Sequence, residues 1–453
     1  MIPIQIEPFK VYKENPKLER IKKTGLGIFL VGVFFLLVSL TGTAMIMPNL
    51  FLFLSFGLSI IGAVIYALPV IWESPAGIKN NKIFFNSFTS RGTIAWIAGI
   101  IITAFYFFLY WFPSFIENWI RLVDPLSYFL RGEKADRWFL YGTFYTLAVL
   151  FMGLKMIIKY RHNRYHIIRT FSVMFFQLGF AYIIPALLIM FNKPEHYFSY
   201  FWPLKYQYLF PSDIHYLTHT AGALGYFMVF WGIAMTFVAI PLLSYFFGKR
   251  WYCSWVCGCG GLAETAGDPF RHLSDKSLKA WNIERWSIHS VLVFIVITTA
   301  LLWINSATGG RTLGSISQTF SSVYGFLIGA VFSGIVGVGF YPIMGSRVWC
   351  RFGCPLAATL GLFQRFKSKF RITTNGGQCI SCGNCSTYCE MGIDVRVYAQ
   401  RKQNIIRSSC VGCGVCAAVC PRGVLRLENG PEEGRYNVVP DDKLILLNKQ
   451  TFL

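Results

Sequence analysis

Long apolar runs, separated by short polar stretches, organise most of this chain. Eight of them lie at about 25–46, 49–72, 94–116, 138–158, 171–192, 221–247, 287–305 and 320–344. Each is long enough to cross a hydrocarbon core, which takes about 20 residues of helix. Lysine, arginine and the acids are nearly absent inside them. A large soluble protein with buried helices would not supply eight such runs, so the pattern predicts an all-α polytopic membrane domain of about eight transmembrane helices. After about residue 345 the runs stop, and Gly, Asn, Ser and Cys rise. The expected division is an N-terminal segment 1–24, a transmembrane domain 25–345, a surface linker 346–371, a small cysteine-rich domain 372–430 and a tail 431–453.

Composition agrees with a bilayer. Hydrophobic residues make up 54% of the 453 and charged residues only 14%, against roughly 25% charged in soluble proteins. The formal net charge of +21 would suit nucleic acid, but the basic residues sit in short loops between apolar runs, which is the pattern of membrane orientation. Nucleic acid is therefore excluded as a partner. Alternate loops carry the basic clusters: Lys79, Lys82 and Arg91; Lys159, Arg161, Arg164 and Arg169; then Lys249, Arg250, Arg271, Lys276, Lys279 and Arg285. The remaining loops are poorer or balanced by acids. This predicts a multi-pass protein with both termini cytoplasmic. The polar start, with Lys10, Lys13, Lys17, Arg20, Lys22 and Lys23 before the first run, reads as an uncleaved signal-anchor.

All thirteen cysteines lie at or after Cys253. Such clustering points to metal ligation rather than a disulfide scaffold. Cys379, Cys382, Cys385 and Cys389 form one C-x2-C-x2-C-x3-C run, and Cys410, Cys413, Cys416 and Cys420, followed by Pro421, form a second. This is the spacing of bacterial-type ferredoxins with two [4Fe–4S] clusters, in which the fourth cysteine of each run reaches the other cluster. Cys379, Cys382, Cys385 and Cys420 are therefore expected to hold one cluster, and Cys410, Cys413, Cys416 and Cys389 the other. Gly383, Gly412 and Gly414 allow the tight turns this needs. A zinc ribbon also uses CxxC pairs, but not with a third cysteine and a CP at this spacing. The first run ends Cys389-Glu390, without the usual proline. The expected domain is a small α+β two-cluster ferredoxin.

A second pattern is an internal repeat. Gly248-Lys-Arg250-Trp-Tyr-Cys253-x3-Cys257 aligns without gaps to Gly345-Ser-Arg347-Val-Trp-Cys350-x3-Cys354. Each copy follows an apolar span directly, so both lie on the ferredoxin's side of the membrane. Four thiolates, Cys253, Cys257, Cys350 and Cys354, can hold a third iron–sulfur cluster or another metal. Arg250, Arg347 and Arg351 would favour the thiolate form. Redox-active thiols and a purely structural role are the other open readings. Cys259 has no counterpart in the second copy and no assigned role.

Weaker signals remain. His215 and His219 stand four apart, on one face of a helix, and suit copper, haem or a quinone head group. The plainer reading is polar residues in an interfacial aromatic loop with Phe201, Trp202, Tyr206, Tyr208 and Tyr216. His162 and His166 fall in a basic loop and read as solvated or lipid-facing. His289, near the end of the seventh run, is a candidate proton or quinone contact. No phosphate loop, dinucleotide fingerprint or hydrolase elbow is present, and nothing requires flavin.

The order of spans, CxxxC, helical hairpin, CxxxCP and two-cluster ferredoxin resembles the membrane polyferredoxin family of NapH, NosR and CcoG. The resemblance covers about 220–430. It is carried by Arg250-x2-Cys253-x3-Cys257, by Arg347-x2-Cys350-x3-Cys354-Pro355, and by Cys389-x2-Gly392-Ile-Asp-Val-Arg396. It implies electron transfer at a bacterial inner membrane, toward a metalloenzyme or metal centre across or beside it; the leading expectation for the other terminus is a quinone, a metal centre or a partner respiratory subunit. The chain would then be an electron-transfer component of an oxidoreductase system, with no catalytic residue of its own in evidence. Two other classes stay open. One is a metallocentre maturation factor of the copper-reductase type. The other is a redox-regulated transporter.

Overall fold

The structure, a computed structural model, describes residues 16–78 and 86–429. Lys79, Lys82, the residues before 16 and the expected tail 431–453 lie outside the described residues. Among the described residues, eight helices are long and apolar enough to cross a membrane: Pro16–Thr41, Pro48–Glu73, Thr93–Trp111, Arg137–Lys159, Arg164–Met190, Ala223–Phe247, Leu278–Ala307 and Ser315–Gly339. They correspond one for one to the eight apolar runs, and a small ferredoxin-like unit follows them. The outer faces present side chains such as Phe34, Ile100 and Ile101, as expected where lipid is the solvent. Between helices, small residues allow close approach. A Cβ built on Gly62 would stand 2.2 Å from the backbone of Phe29, and one on Gly25 2.5 Å from that of Tyr66, so the first two spans pack backbone to backbone.

The fifth and seventh helices begin earlier than their apolar runs, at Arg164 and Leu278. Each has a cap that starts it before the apolar stretch. The Asn163 side chain accepts from Tyr165 N at 3.0 Å, and Ser277 Oγ accepts from Ala280 N at 3.2 Å. These polar first turns pack inward and supply Arg169 and Glu284, both buried.

The connections with basic residues gather at one end of the bundle. Arg91 donates to Ile343 O at 2.7 Å and Leu273 O at 2.8 Å, and Arg161 donates to Ser74 O at 2.9 Å. The CxxxC loops and the ferredoxin-like unit lie at that same end.

The interfacial loop expected near 193–220 at the opposite end is re-entrant in its first part, to about residue 210. The sixth helix has 25 residues, about 37 Å at 1.5 Å per residue. Ser199 precedes it, yet accepts a hydrogen bond at 2.5 Å from Tyr252, which lies beyond its far end. On the way in, Trp231 donates to Phe198 O at 2.9 Å, and Trp202 bonds Thr299 of the seventh helix at 3.0 Å. Phe201 packs edge-on against Tyr252 with ring centroids 5.4 Å apart. Irregular backbone at membrane depth is tolerated where protein buries it or a cavity adjoins it. The aromatics of this loop are what bury it.

After the second CxxxC, helix Pro355–Phe366 leads to strand β1 (Phe370–Thr374). The strand β1 pairs antiparallel with β2 (Leu425–Asn429), in register Phe370 to Asn429, and so closes the ferredoxin-like unit at its two ends. The stretch 346–371 is thus helix and strand packed against the bundle, with Phe370 fully buried. One contiguous core joins the two parts and includes Tyr252, Trp349, Leu360, Phe370, Ile393 and Val411.

Candidate functional site

Cys379, Cys382, Cys385 and Cys420 line one hollow together with Ile380, Arg396 and Pro421. Cys385 is buried, Cys379 and Cys420 are half-buried, and Cys382 is exposed. The second group lies deeper. Burial, and then the neighbouring Cys413, Cys410 and Cys389, push the Cys416 thiol well above its ordinary value. Burial pushes Cys385 up to about 11, with Cys420 and Cys382 adding to it, and pushes Cys410 up to about 11, with Cys389 adding to it. Each run's fourth cysteine therefore stands with the other run's first three. Gly383, Gly412 and Gly414 all adopt positive φ, at 80°, 62° and 81°, the turns that wrap the loops round each group. Crowded buried thiols resist ionisation, and an iron centre removes that resistance by taking the place of the protons.

The two CxxxC copies fold alike. Each span ends in a glycine with positive φ, Gly248 at 63° and Gly345 at 90°. A Cβ on Gly345 would also meet Ser274 at 2.5 Å. A short helix then carries the first cysteine, Arg250–Cys253 in one copy and Val348–Phe352 in the other. The second cysteine, Cys257 or Cys354, stands at the N-cap of the next helix. Cys354 Sγ accepts from Ala357 N at 3.4 Å, the placement that favours a thiolate. All four thiols are buried in the common core. Burial pushes Cys354 well up, and the neighbouring Cys350, Cys253 and Cys257 add to it. Cys259, half-buried, neighbours Cys257 and draws that thiol down from its ordinary value. Among the described residues no three His, Cys, Asp or Glu side chains converge closely enough for a single metal ion.

A buried ion network joins the two parts. The Glu390 carboxylate lies 2.7 Å from Arg271 Nη1 and 3.0 Å from Arg347 Nη2. Glu264 lies 2.7 Å from Arg169 and 2.7 Å from Arg347. Asp268 pairs with Lys159 at 2.5 Å, Arg271 at 2.9 Å and Lys155 at 3.6 Å. Arg347 Nη1 also reaches Cys253 O at 3.2 Å and Cys350 Sγ at 3.8 Å, and Arg169 donates to Cys413 O. Among the described residues, five basic groups (Arg169, Arg271, Arg347, Lys155, Lys159) thus face three acidic ones (Glu264, Asp268, Glu390). Arg347 Nε is buried without a hydrogen-bond partner. Uncompensated buried charge is costly. An iron–sulfur cubane held by four thiolates is anionic, so this surplus of positive charge fits such groups at the adjoining cysteines.

Sequence reasoning missed Glu264 and Asp268, and saw neither the burial of Arg169 nor the partners of Glu390. The available signal was Glu390 in the place of proline, and acids close after the first CxxxC in a chain with only 21 Asp and Glu. His166, expected to be solvated or lipid-facing, is buried and stacked on Tyr160 at 4.7 Å, because the helix start at Arg164 turns it inward. His215 and His219 are exposed with rings stacked at 4.0 Å, and no third ligand joins them among the described residues.

Comparison with known proteins agrees with these groups. A 4Fe-4S dicluster domain family matches residues 371–421, and a 4Fe-4S binding domain family matches twice, over 228–277 and 324–373. The double match falls on the two CxxxC copies. The chain is similar to YccM of Escherichia coli (strain K12), whose name assigns it to electron transport, with 27% identity over 170 residues, 36% of this chain and 46% of the relative. It is also similar to the methylamine utilization ferredoxin-type protein MauN of Methylobacillus flagellatus, with 26% identity over 156 residues, 34% of this chain and 52% of the relative. The chain spans about half the length of the curated relatives it matches. No solved structure matches it. Iron–sulfur binding follows from the two family matches.

Proposed function

We propose that this chain, a polyferredoxin-like membrane protein, passes electrons between a cytoplasmic-side ferredoxin domain and a quinone, metal centre or partner respiratory subunit at a bacterial inner membrane. Cys379, Cys382, Cys385 and Cys420 hold the outer of two [4Fe–4S] clusters. Cys389, Cys410, Cys413 and Cys416 hold the inner one. Cys253, Cys257, Cys350 and Cys354 hold a third. Such clusters, when bound, supply one-electron carriers whose potentials span roughly −700 to +450 mV.

The observation that carries this reading is the single buried core that contains Cys385, Cys410, Cys416 and all four CxxxC cysteines. It makes a continuous, water-excluding path from the ferredoxin unit to the ends of two membrane spans. At the outer end, exposed Cys382 and Ile380 (56% exposed) give a soluble redox partner close approach. At the inner end, Arg347 beside Cys350 and Arg169 at the Cys413 carbonyl favour added negative charge. Basic loops gathered at the ferredoxin end support its cytoplasmic placement.

The test is iron and acid-labile sulfide per chain on anaerobically purified protein, with EPR of the reduced state. About twelve irons, with coupled S = 1/2 signals, is the expected result. About eight would remove the third cluster and leave the two ferredoxin sites. Fewer than about four would sink the reading.

A further inference from the structure

The re-entrant loop does not fill the space it enters. Between it and the eighth span lies a cavity of about 570 Å³, within the range of small-molecule sites. Aromatic faces dominate its lining, with Tyr200, Tyr206, Tyr324 and Trp349. Its inner end is Cys259 and Pro355, each beside a CxxxC cysteine. Tyr200 stands within electrostatic reach of both Cys259 and Cys257. Its other end carries His196, Lys205 and Gln207. The eighth span borders it with Gly325, Ile328 and Gly329, and a Cβ built on either glycine would meet nothing within 4 Å. That helix is π-wound from Gly325 to Gly339, a widening common at functional sites.

We infer that this cavity binds the ring of a lipid-soluble quinone, held flat among the tyrosines and Trp349 beside the CxxxC layer. The inference rests on the electron-transfer reading and gives its membrane terminus a place. Hydrogen-bond donors stand at both ends, Tyr200 at one and Gln207 and Lys205 at the other, which suits a ring with carbonyls on opposite edges. The bare glycine edge of a membrane span gives an apolar tail its way out to lipid. A metal ion is a poorer occupant, because no three ligating side chains converge here. A phosphorylated cofactor is poorer too, since Lys205 is the one cation in the lining.

The probe is decylubiquinone, titrated into the full-length, iron-loaded protein in lipid nanodiscs, with tryptophan fluorescence quenching as the readout. Saturable quenching is expected in the parent protein. Gly329→Leu fills the cavity and should weaken the apparent affinity at least tenfold at unchanged iron content. Gly325→Leu should do the same, and serves if Gly329→Leu fails to load iron. Gly179→Leu, at an open glycine outside the cavity, should bind as the parent does. Non-saturable quenching, equal in all these proteins, is partition into the bilayer only and overturns the inference. Iron loading is read on the same samples. Loaded protein without saturable binding fails this inference alone, whereas unloaded parent protein fails the electron-transfer reading.

Discussion

Glu390 and Arg271, 119 residues apart in sequence, form a fully buried ion pair at 2.7 Å. The first belongs to the ferredoxin unit and the second to the loop after the first CxxxC. Ser274 Oγ adds a bond to Glu390 O at 2.8 Å, and Ser254 Oγ one to Val411 O at 2.8 Å. The departure from the usual proline after Cys389 is therefore the point at which the unit is locked to the membrane domain.

Removing that carboxylate leaves two arginines buried without it. Breaking a buried pair from one side costs about 3–5 kcal/mol. Glu390→Gln should keep the two ferredoxin clusters yet loosen the docking. Limited proteolysis should then release a fragment near 372–430 that the parent protein protects. Equal protection in both proteins would show that the pair does not hold the unit in place.

Acid stability should follow Asp268. Burial acts to raise its carboxyl, but Lys159, Lys155 and Arg271 outweigh burial and hold it well below the usual range. A depressed carboxylate stabilises the fold above its unfolded value, 3.8, and that contribution is lost as pH falls further. Thermal unfolding followed by circular dichroism should therefore show this contribution unchanged from pH 7 to about 5, and shrinking below about 4. Asp268→Asn should be less stable at pH 7 and should lack this acid-side decline. A parent-like acid limb in the variant would place the effect elsewhere.

Cys253→Ser combined with Cys350→Ser should lower iron from about twelve to about eight per chain and leave the ferredoxin EPR signals intact. Cys420→Ser should instead perturb the outer ferredoxin cluster. If the double variant keeps all its iron, the CxxxC pair holds no cluster. If it also loses Cu(II)-reducing activity that the parent possesses, the copper-reductase alternative gains the ground.

Gly260 follows the first CxxxC where only a hydrogen fits. A Cβ there would stand 2.1 Å from Cys253 O and 3.0 Å from Arg347 Nη1. Gly260→Ala should displace the loop and cost about four irons per chain, with the ferredoxin signals retained. Gly27→Ala, at an open position on the first span, should be neutral in the same assay.

The eight spans were legible because lipid demands long apolar runs, and the cysteine runs because cubane ligation demands close spacing. Their partners were not. Arg164 and Arg169 read as loop residues, since polar side chains at a span's end look alike whether they face water or a neighbouring domain. Arg169 faces Glu264 and Cys413. The re-entrant course of 191–210 was hidden for a related reason. Tyrosine and tryptophan mark a membrane interface and a buried aromatic wedge with the same composition, and contacts such as the Tyr252–Ser199 bond distinguish them. Glu390 was visible as an oddity, but its meaning depended on Arg271 and Arg347, which sequence distance keeps apart.

The surplus of buried arginine and lysine also bears on how the molecule is made. Before iron and sulfide arrive, closing the ferredoxin unit onto the bundle would bury Arg169, Arg271 and Arg347 beside protonated thiols, with too little negative charge to balance them. Cofactor insertion and closure then become one event, and the electrostatic mismatch acts as a checkpoint in biogenesis. Cells starved of iron should accumulate inserted chains whose ferredoxin unit stays open to protease, a form that closes only on reconstitution.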